Sequence, residues 1–240
     1  MRDSDIIIPV ICIGDGGDHM KSLELTAATL LDLIAHVEKL APGAVIITPS
    51  NPVDIYNYLF YRKSALPASR WLGYSYNDSV RFRRMLGRVL NLQPCRISAS
   101  MLGEHGPTKV PVFSSVEIDG KPFVPDPEQK TAVLREMDQW WDTYTKRTST
   151  QRSAGWLSAY GVAEMVKRIR GFDDTPMPCS CILDGQYGQH GISMGVPVRL
   201  DRQGAAEIIE ITLNEEEKAA LETSAAKIRE LTEYVLTKYT

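Results

Sequence analysis

Asp78 and Arg81 stand three positions apart in a stretch with helical patterning, and His105 lies further along in a glycine-flanked loop, Gly103-Glu104-His105-Gly106. A spacing of three puts the carboxylate and the guanidinium on one face of a helix. A histidine in a loop is ordinarily a polar surface residue; a carboxylate within reach changes that reading. An imidazole held by a carboxylate gives and takes protons near neutral pH. An arginine beside it offers a planar fork that matches the carboxylate of a small molecule. The three residues therefore predict acid–base chemistry on a carboxylate-bearing substrate.

The elements that must position these groups follow along the chain. Ile6 to Ile13 is a near-continuous apolar run, as expected of a strand buried on both faces of a parallel sheet. A helical pattern runs from Leu23 to Leu40 and ends at Pro42, and Val45 to Thr48 reads as the next buried strand, completing a strand–helix–strand unit. Asn51-Pro52 is expected to open another helix, with Asn51 as its cap and proline in the first turn. Arg70 to Gly73 reads as a short strand, and Asn77 to Leu92 as the helix carrying Asp78 and Arg81. The alternation Ile97, Ala99, Met101 predicts a strand that stops at Gly103, and an extended apolar run resumes from Val110 to Phe113.

Beyond that loop, Asp119-Gly120 inside Val116 to Phe123 is a hairpin signal. Gln129 to Thr148 is predicted as one helix, in which Trp140, Trp141 and Tyr144 read as packing residues; Ser153 to Ile169 is predicted as another. Cys181 to Leu183, Gly195 to Leu200 and Ala206 to Ile211 read as antiparallel strands. A long final helix runs from Asn214 to Tyr239, opened by a capping box of Asn214 and Glu217.

Composition narrows the function classes. The chain has 240 residues, 43% of them hydrophobic, and a net charge of −3 with both signs interspersed, which suits a globular protein and predicts no nucleic-acid or membrane surface. No apolar run approaches the roughly 18 residues of a membrane span, and no basic-then-apolar leader opens the chain, so cytoplasm is the expected location. Cys12, Cys95, Cys179 and Cys181 are too few and too unevenly spaced for a disulfide scaffold, and with only four histidines no metal site is expected. The turn Gly14-Asp15-Gly16-Gly17 stands after a strand and before a helix, the setting of a dinucleotide-binding turn. It lacks the pattern: G-x-G-x-x-G needs a third small residue where this chain has His19, and the second strand ends in Thr48-Pro49-Ser50 rather than an acidic residue for a ribose.

Three runs in order, SNPVD (Ser50 to Asp54), DSVRF (Asp78 to Phe82) and GEHG (Gly103 to Gly106) followed by VPVFSS, resemble the lactate/malate dehydrogenase family. The resemblance continues through RSAGW (Arg152 to Trp156), QYG (Gln186 to Gly188) and GVPVRL (Gly195 to Leu200). It implies an α/β fold: a partial Rossmann-type parallel sheet over residues 1–73, the C-terminal part of a dinucleotide-binding domain, followed by an α+β catalytic domain over residues 74–240. It also implies NAD-dependent oxidation of a small 2-hydroxy acid to a 2-keto acid. His105 would exchange the proton, Asp78 would stabilise its protonated form, and Arg81 would grip the substrate carboxylate. Asn51 would contact substrate and the nicotinamide end of the cofactor, and Ser153 would line the substrate pocket.

Two departures set an alternative. By register with the family, the GDGG turn resembles the mobile loop over the substrate, yet the loop carries Asp15, Asp18, His19 and Lys21, and no arginine follows it until Arg62. Asn77 also replaces the leucine usual before the aspartate. The chain begins about 70 residues later than family members do, leaving out the first three strands and the glycine-rich pyrophosphate turn. NADH binding by this chain alone is thus expected to be weak. The apolar strand at residues 6–13 is expected to be covered by a second copy of the chain or by a partner. The alternatives to an enzyme are a truncated pseudoenzyme serving as a binding or structural module, or a fragment of an ordinary dehydrogenase.

Overall fold

The computed structural model describes residues 1–11, 19–149 and 155–239. Its frame is a six-stranded sheet. Strands β1 (Ile6–Ile7), β2 (Val45–Thr48) and β3 (Trp71–Gly73) run parallel, and β9 (Met177–Asp184), β10 (His190–Asp201) and β11 (Gly204–Ile208) add antiparallel, giving the order β1-β2-β3-β9-β10-β11. The junction is the pairing of Leu72 with Cys181 and Gly73 with Ser180. The sheet is therefore continuous across residue 73.

Helix α1 (His19–Leu40) turns Leu23, Ala27, Leu30, Ile34 and Val37 into the core, a stripe of alternating three- and four-residue steps, as a 3.6-residue period requires. Helix α2 (Val53–Arg62) is buried from Val53 to Phe60. A helix so enclosed normally carries apolar residues all round, yet α2 also buries Asp54 and Asn57. Between β3 and β9 the chain makes α3 (Tyr76–Leu90), short strands β4 (Ile97–Ser98), β5 (Met101–Leu102), β6 (Val110–Pro111), β7 (Glu117–Ile118) and β8 (Lys121–Pro122), and helices α4 (Pro127–Asp138), α5 (Trp140–Thr148) and α6 (Gly155–Ile169). A second core of Phe82, Met85, Leu86, Ile97, Phe113 and Val133 holds this region, with the Phe82 and Phe113 rings edge to face at 5.1 Å. Helix α7 (Glu215–Tyr239) closes the chain. No helix of the described residues is long and apolar enough to cross a membrane.

Four expectations need correction. The strand expected over Ile6 to Ile13 is only Ile6–Ile7; Pro9 has no N–H to give a ladder, and beyond it Val10 is 78% exposed. Residues 12 and 13, like the GDGG turn, lie outside the described residues. Asn51 does not cap α2: Pro52 occupies the cap position, and Asn51 is exposed, with no side-chain partner among the described residues. The helix expected over Gln129 to Thr148 is two, because Gln139, at φ −81° and ψ −5°, ends α4 and begins α5. The strand expected from Ile97 to Met101 is interrupted between β4 and β5, which pair with different partners, β7 and β6.

The hairpin and the capping box take the expected geometry. Asp119 and Gly120 both have positive φ (50° and 74°), the backbone of a tight β7–β8 turn. Asn214 and Glu217 exchange side-chain and backbone hydrogen bonds at 2.9 and 3.1 Å. Glu217 also accepts from the Ser114 amide at 2.9 Å, tying the start of α7 to the turn after β6.

Candidate active site

The loop bearing His105 is held by every amide that leads into it. Gly103, at φ 88°, exchanges two backbone bonds with Gly195 of β10, at 3.1 and 3.0 Å. A side chain at Gly103 would be both strained and in collision with Ser224. The Glu104 amide donates to Ser224 Oγ on α7 at 2.8 Å, and the His105 amide donates to Asp54 Oδ2 on α2 at 2.7 Å. Glu104 folds back to accept from the Thr108 amide and hydroxyl at 3.1 and 2.6 Å. Three elements far apart in sequence thus fix one short loop, and each of its leading amides finds the partner that burial demands.

His105 Nδ1 lies 2.5 Å from Asp78 Oδ2. The Asp78 carboxylate accepts a hydrogen bond from Nδ1–H, which leaves the other ring nitrogen, Nε2, free for chemistry. Asp78 stands in the first turn of α3, where the helix dipole favours a negative charge. Burial pushes the Asp78 carboxyl up, but His105, Lys109 and Arg81 pull it further down, to below the usual carboxylate value. Burial draws the imidazole down, while the Asp78 charge, its hydrogen bond and the Asp54 charge lift it above the ordinary histidine value. Such a pair can accept a proton at Nε2 and release it again.

Arg81, one turn along α3, places Nη1 3.5 Å from Asp78 Oδ1. Its guanidinium lies 3.9 Å over the Trp140 ring, and its buried Nε has no partner among the described residues. A cavity of about 320 Å³ opens beside it, lined by Asp78, Arg81, Lys109, Met137, Trp140 and Trp141. Arg81 thus lines this cavity, and its unpartnered Nε is buried behind the stacked guanidinium.

Asn51 lies three residues before Asp54, at the sheet edge from which α2 departs; Ser153 is outside the described residues. Asn77 is buried and accepts from the Tyr74 hydroxyl, while its amide reaches Ser158 Oγ at 3.3 Å. This places α6 against α3 so closely that a side chain at Gly161 would collide with the Tyr74 ring.

Two residues escaped the sequence reading. Asp54 was only the last letter of SNPVD, and its signal was a charge inside the apolar run VDIYNYLF, which a buried helix tolerates only for a reason. Trp140 does pack, but onto Arg81; an aromatic at a helix break carries no local mark of its target.

The comparisons with known proteins agree with this architecture. Residues 77–238 match the family described as lactate/malate dehydrogenase, alpha/beta C-terminal domain. The L-lactate dehydrogenase 2 of Listeria innocua is 30% identical over 244 residues, covering 95% of this chain and 76% of that protein. The malate dehydrogenase of Natronomonas pharaonis is 32% identical over 204 residues, covering 84% and 66%. Among solved structures, the malate dehydrogenase from Aeropyrum pernix superposes with a TM-score of 0.88 at 28% identity, over 98% of this chain and 77% of that one. The lactate dehydrogenase from Cryptosporidium parvum, solved with lactic acid and nicotinamide adenine dinucleotide, also gives 0.88, at 26% identity over 98% and 77%. This chain belongs to the lactate/malate dehydrogenase family, and its function is of the dehydrogenase type.

Proposed function

We propose that the chain performs the proton-transfer and substrate-holding part of an NAD-dependent interconversion of a 2-hydroxy acid and its 2-keto acid. The observation that carries this reading is the 2.5 Å contact of His105 with Asp78, with Arg81 one helical turn away. In the oxidising direction neutral His105 accepts the hydroxyl proton at Nε2, and the Asp78 carboxylate stabilises the imidazolium that results. In the reducing direction the imidazolium returns the proton to the carbonyl oxygen. Arg81 binds the substrate carboxylate through its planar fork, and Asn51 and Ser153 complete the substrate side. Residues 1–73 face the cofactor in this reading, and residues 74–240 carry the substrate.

When bound, a nicotinamide cofactor supplies the hydride acceptor. The described strand-to-helix turns do not form a cradle for its pyrophosphate: β2 leads to α2 through Pro49, Ser50, Asn51 and Pro52, and β3 leads to α3 through Tyr74 and Ser75, with no glycine in either. Asn51 is the residue this reading assigns to the nicotinamide end, and the chain's own part in the chemistry is the handling of the proton and the substrate carboxylate. The same reading takes the chain as a cytoplasmic protein that works as a homo-oligomer or with a partner along the β1 edge.

Titration calorimetry with pyruvate and oxaloacetate, with and without NADH, tests the proposal. Binding of either acid that Arg81→Ala abolishes supports it. Equal binding by the wild type and Arg81→Ala would overturn it.

A further inference from the structure

The proton transfer just described makes no use of Asp54, yet this carboxylate is 2% exposed and sits directly behind the His105 loop. Oδ2 accepts the His105 amide at 2.7 Å, and Oδ1 accepts the Ser180 hydroxyl at 2.5 Å. Each serine hydroxyl has one proton to give. Ser180 gives its own to Asp54, so in the 2.8 Å contact between Ser180 and Ser193 the donor is Ser193. The Ser193 oxygen in turn accepts from Asn57 Nδ2 at 2.9 Å. The protons are thus ordered in one direction, from Asn57 through Ser193 and Ser180 to Asp54, across α2, β10 and β9. Asn57, Ser180 and Ser193 are fully buried.

A relay of four buried polar side chains is an expensive way to fill a core. An apolar replacement of the same shape is often neutral or stabilising. Burial pushes the Asp54 carboxyl up to about 6, with the hydrogen bonds from Ser180 and His105 and the His105 charge pulling it down and Glu104 pushing it up. It remains mostly ionised at neutral pH, helped by its place in the first turn of α2. At the far end the two Nδ2 protons of Asn57 are shared among Ser193 Oγ and the Ser180 and Trp71 carbonyls, the last two at 3.2 and 3.3 Å, while its Oδ1 has no partner among the described residues. Among the described residues, the near end of the relay bonds to the His105 backbone.

We propose that Asp54 is a positioning residue for His105: it holds the backbone of the proton carrier while Asp78 holds its ring, and its charge favours the imidazolium. The inference rests on the proton-transfer reading of His105, and Asp54 itself does not touch substrate. Two carboxylates on different atoms of one histidine fix both its place and its proton affinity, so that neither the loop nor the ring must reorganise when the proton moves.

NMR titration of the histidine ring nuclei in the intact chain tests this without requiring turnover. Asp54→Asn keeps an acceptor oxygen for the His105 amide and removes the charge. The expected result is a fall of about 0.5 unit or more in the His105 midpoint. A folded Asp54→Asn protein whose His105 midpoint equals the wild-type value overturns the proposal. A second measurement needs no variant: the His105 amide proton of the wild type should show a transition that coincides with titration of the Asp54 carboxyl carbon. An amide that follows only its own ring would overturn the proposal as well. Asp78→Asn, run alongside, separates the two readings. An unmoved His105 midpoint in Asp78→Asn removes the proton-transfer reading, whereas an unmoved midpoint in Asp54→Asn alone removes only the positioning role.

Discussion

The guanidinium of Arg81 is stacked on the indole of Trp140 at 3.9 Å while it keeps an ion pair with Asp78. A cation over an aromatic face gains roughly 0.5–2 kcal/mol, depending on desolvation. The indole thus acts as a shelf that fixes the plane of the fork. Trp140→Ala is expected to raise KM for the 2-keto acid about fivefold, the equivalent of ~1 kcal/mol, with a smaller change in kcat. Trp140→Phe should restore most of the loss. Steady-state kinetics on the three proteins checks this, and an unchanged KM in Trp140→Ala would assign the ring to packing alone.

His105→Gln removes the proposed proton carrier while keeping a side chain of similar reach. Wherever turnover is measured, the rate should drop by about 10²–10⁴-fold, the usual contribution of a placed general acid–base group. A variant that turns over at the wild-type rate would refute the proton-transfer role.

The His105–Asp78 pair should also appear in the pH dependence of stability. His105 is lifted above its ordinary 6.5, so its contribution is complete below pH 6.5 and is lost as pH rises through the folded value. Asp78 is held below its ordinary 3.8, so its contribution is complete above pH 3.8 and is lost as pH falls through the folded value. The stability gap between wild type and Asp78→Asn is therefore expected to be largest between pH 3.8 and 6.5. Denaturant melts at pH 3, 5 and 9 would show the gap narrowing on both sides; a gap independent of pH would contradict the pair.

Asp54 has the opposite sign. Its carboxyl is raised from 3.8 to about 6, so the folded state holds its proton longer than the unfolded chain does, and stability falls as pH rises through that window. Above it the penalty for the buried charge is complete, about 3 kcal/mol in order of magnitude. Asp54→Asn should consequently be at least as stable as wild type at pH 8 and gain nothing at pH 4. Thermal melts at the two values decide the matter. A variant that melts far below wild type at pH 8 would mean that the charge stabilises the fold.

The features legible in the sequence were those governed by local rules. Val45 to Thr48 is a strand because four consecutive residues suit a strand with both faces covered, and all four are buried. The Asp119-Gly120 turn and the Asn214–Glu217 box follow from backbone geometry that few other residues satisfy. The i, i+3 spacing puts Asp78 and Arg81 side by side because α3 is a helix. What could not be read was the product of long-range contact. Pro9 ends β1 before the apolar run does, Gln139 breaks a helix whose second half turns to Arg81, and Asp54 finds the His105 amide 51 positions away. The antiparallel docking of β9 on β3 has no local signature at all.

That docking governs how the protein is assembled. Between residues 74 and 176 the described residues form an excursion that leaves the sheet at β3 and returns to it at β9, touching it in between through the Gly103–Gly195 bonds. Leu72 must meet Cys181 across that whole length. Closing so long a loop is entropically costly and is repaid only once the excursion has condensed on its own core, so folding should be slow for the chain's size. Since Asp54 precedes the excursion, His105 lies within it, and Ser180 and Ser193 follow it, the site is completed only in that last closure. A single backbone nick inside the excursion should therefore leave two pieces that stay together and keep the site, whereas a slip in the β3–β9 register would disassemble it.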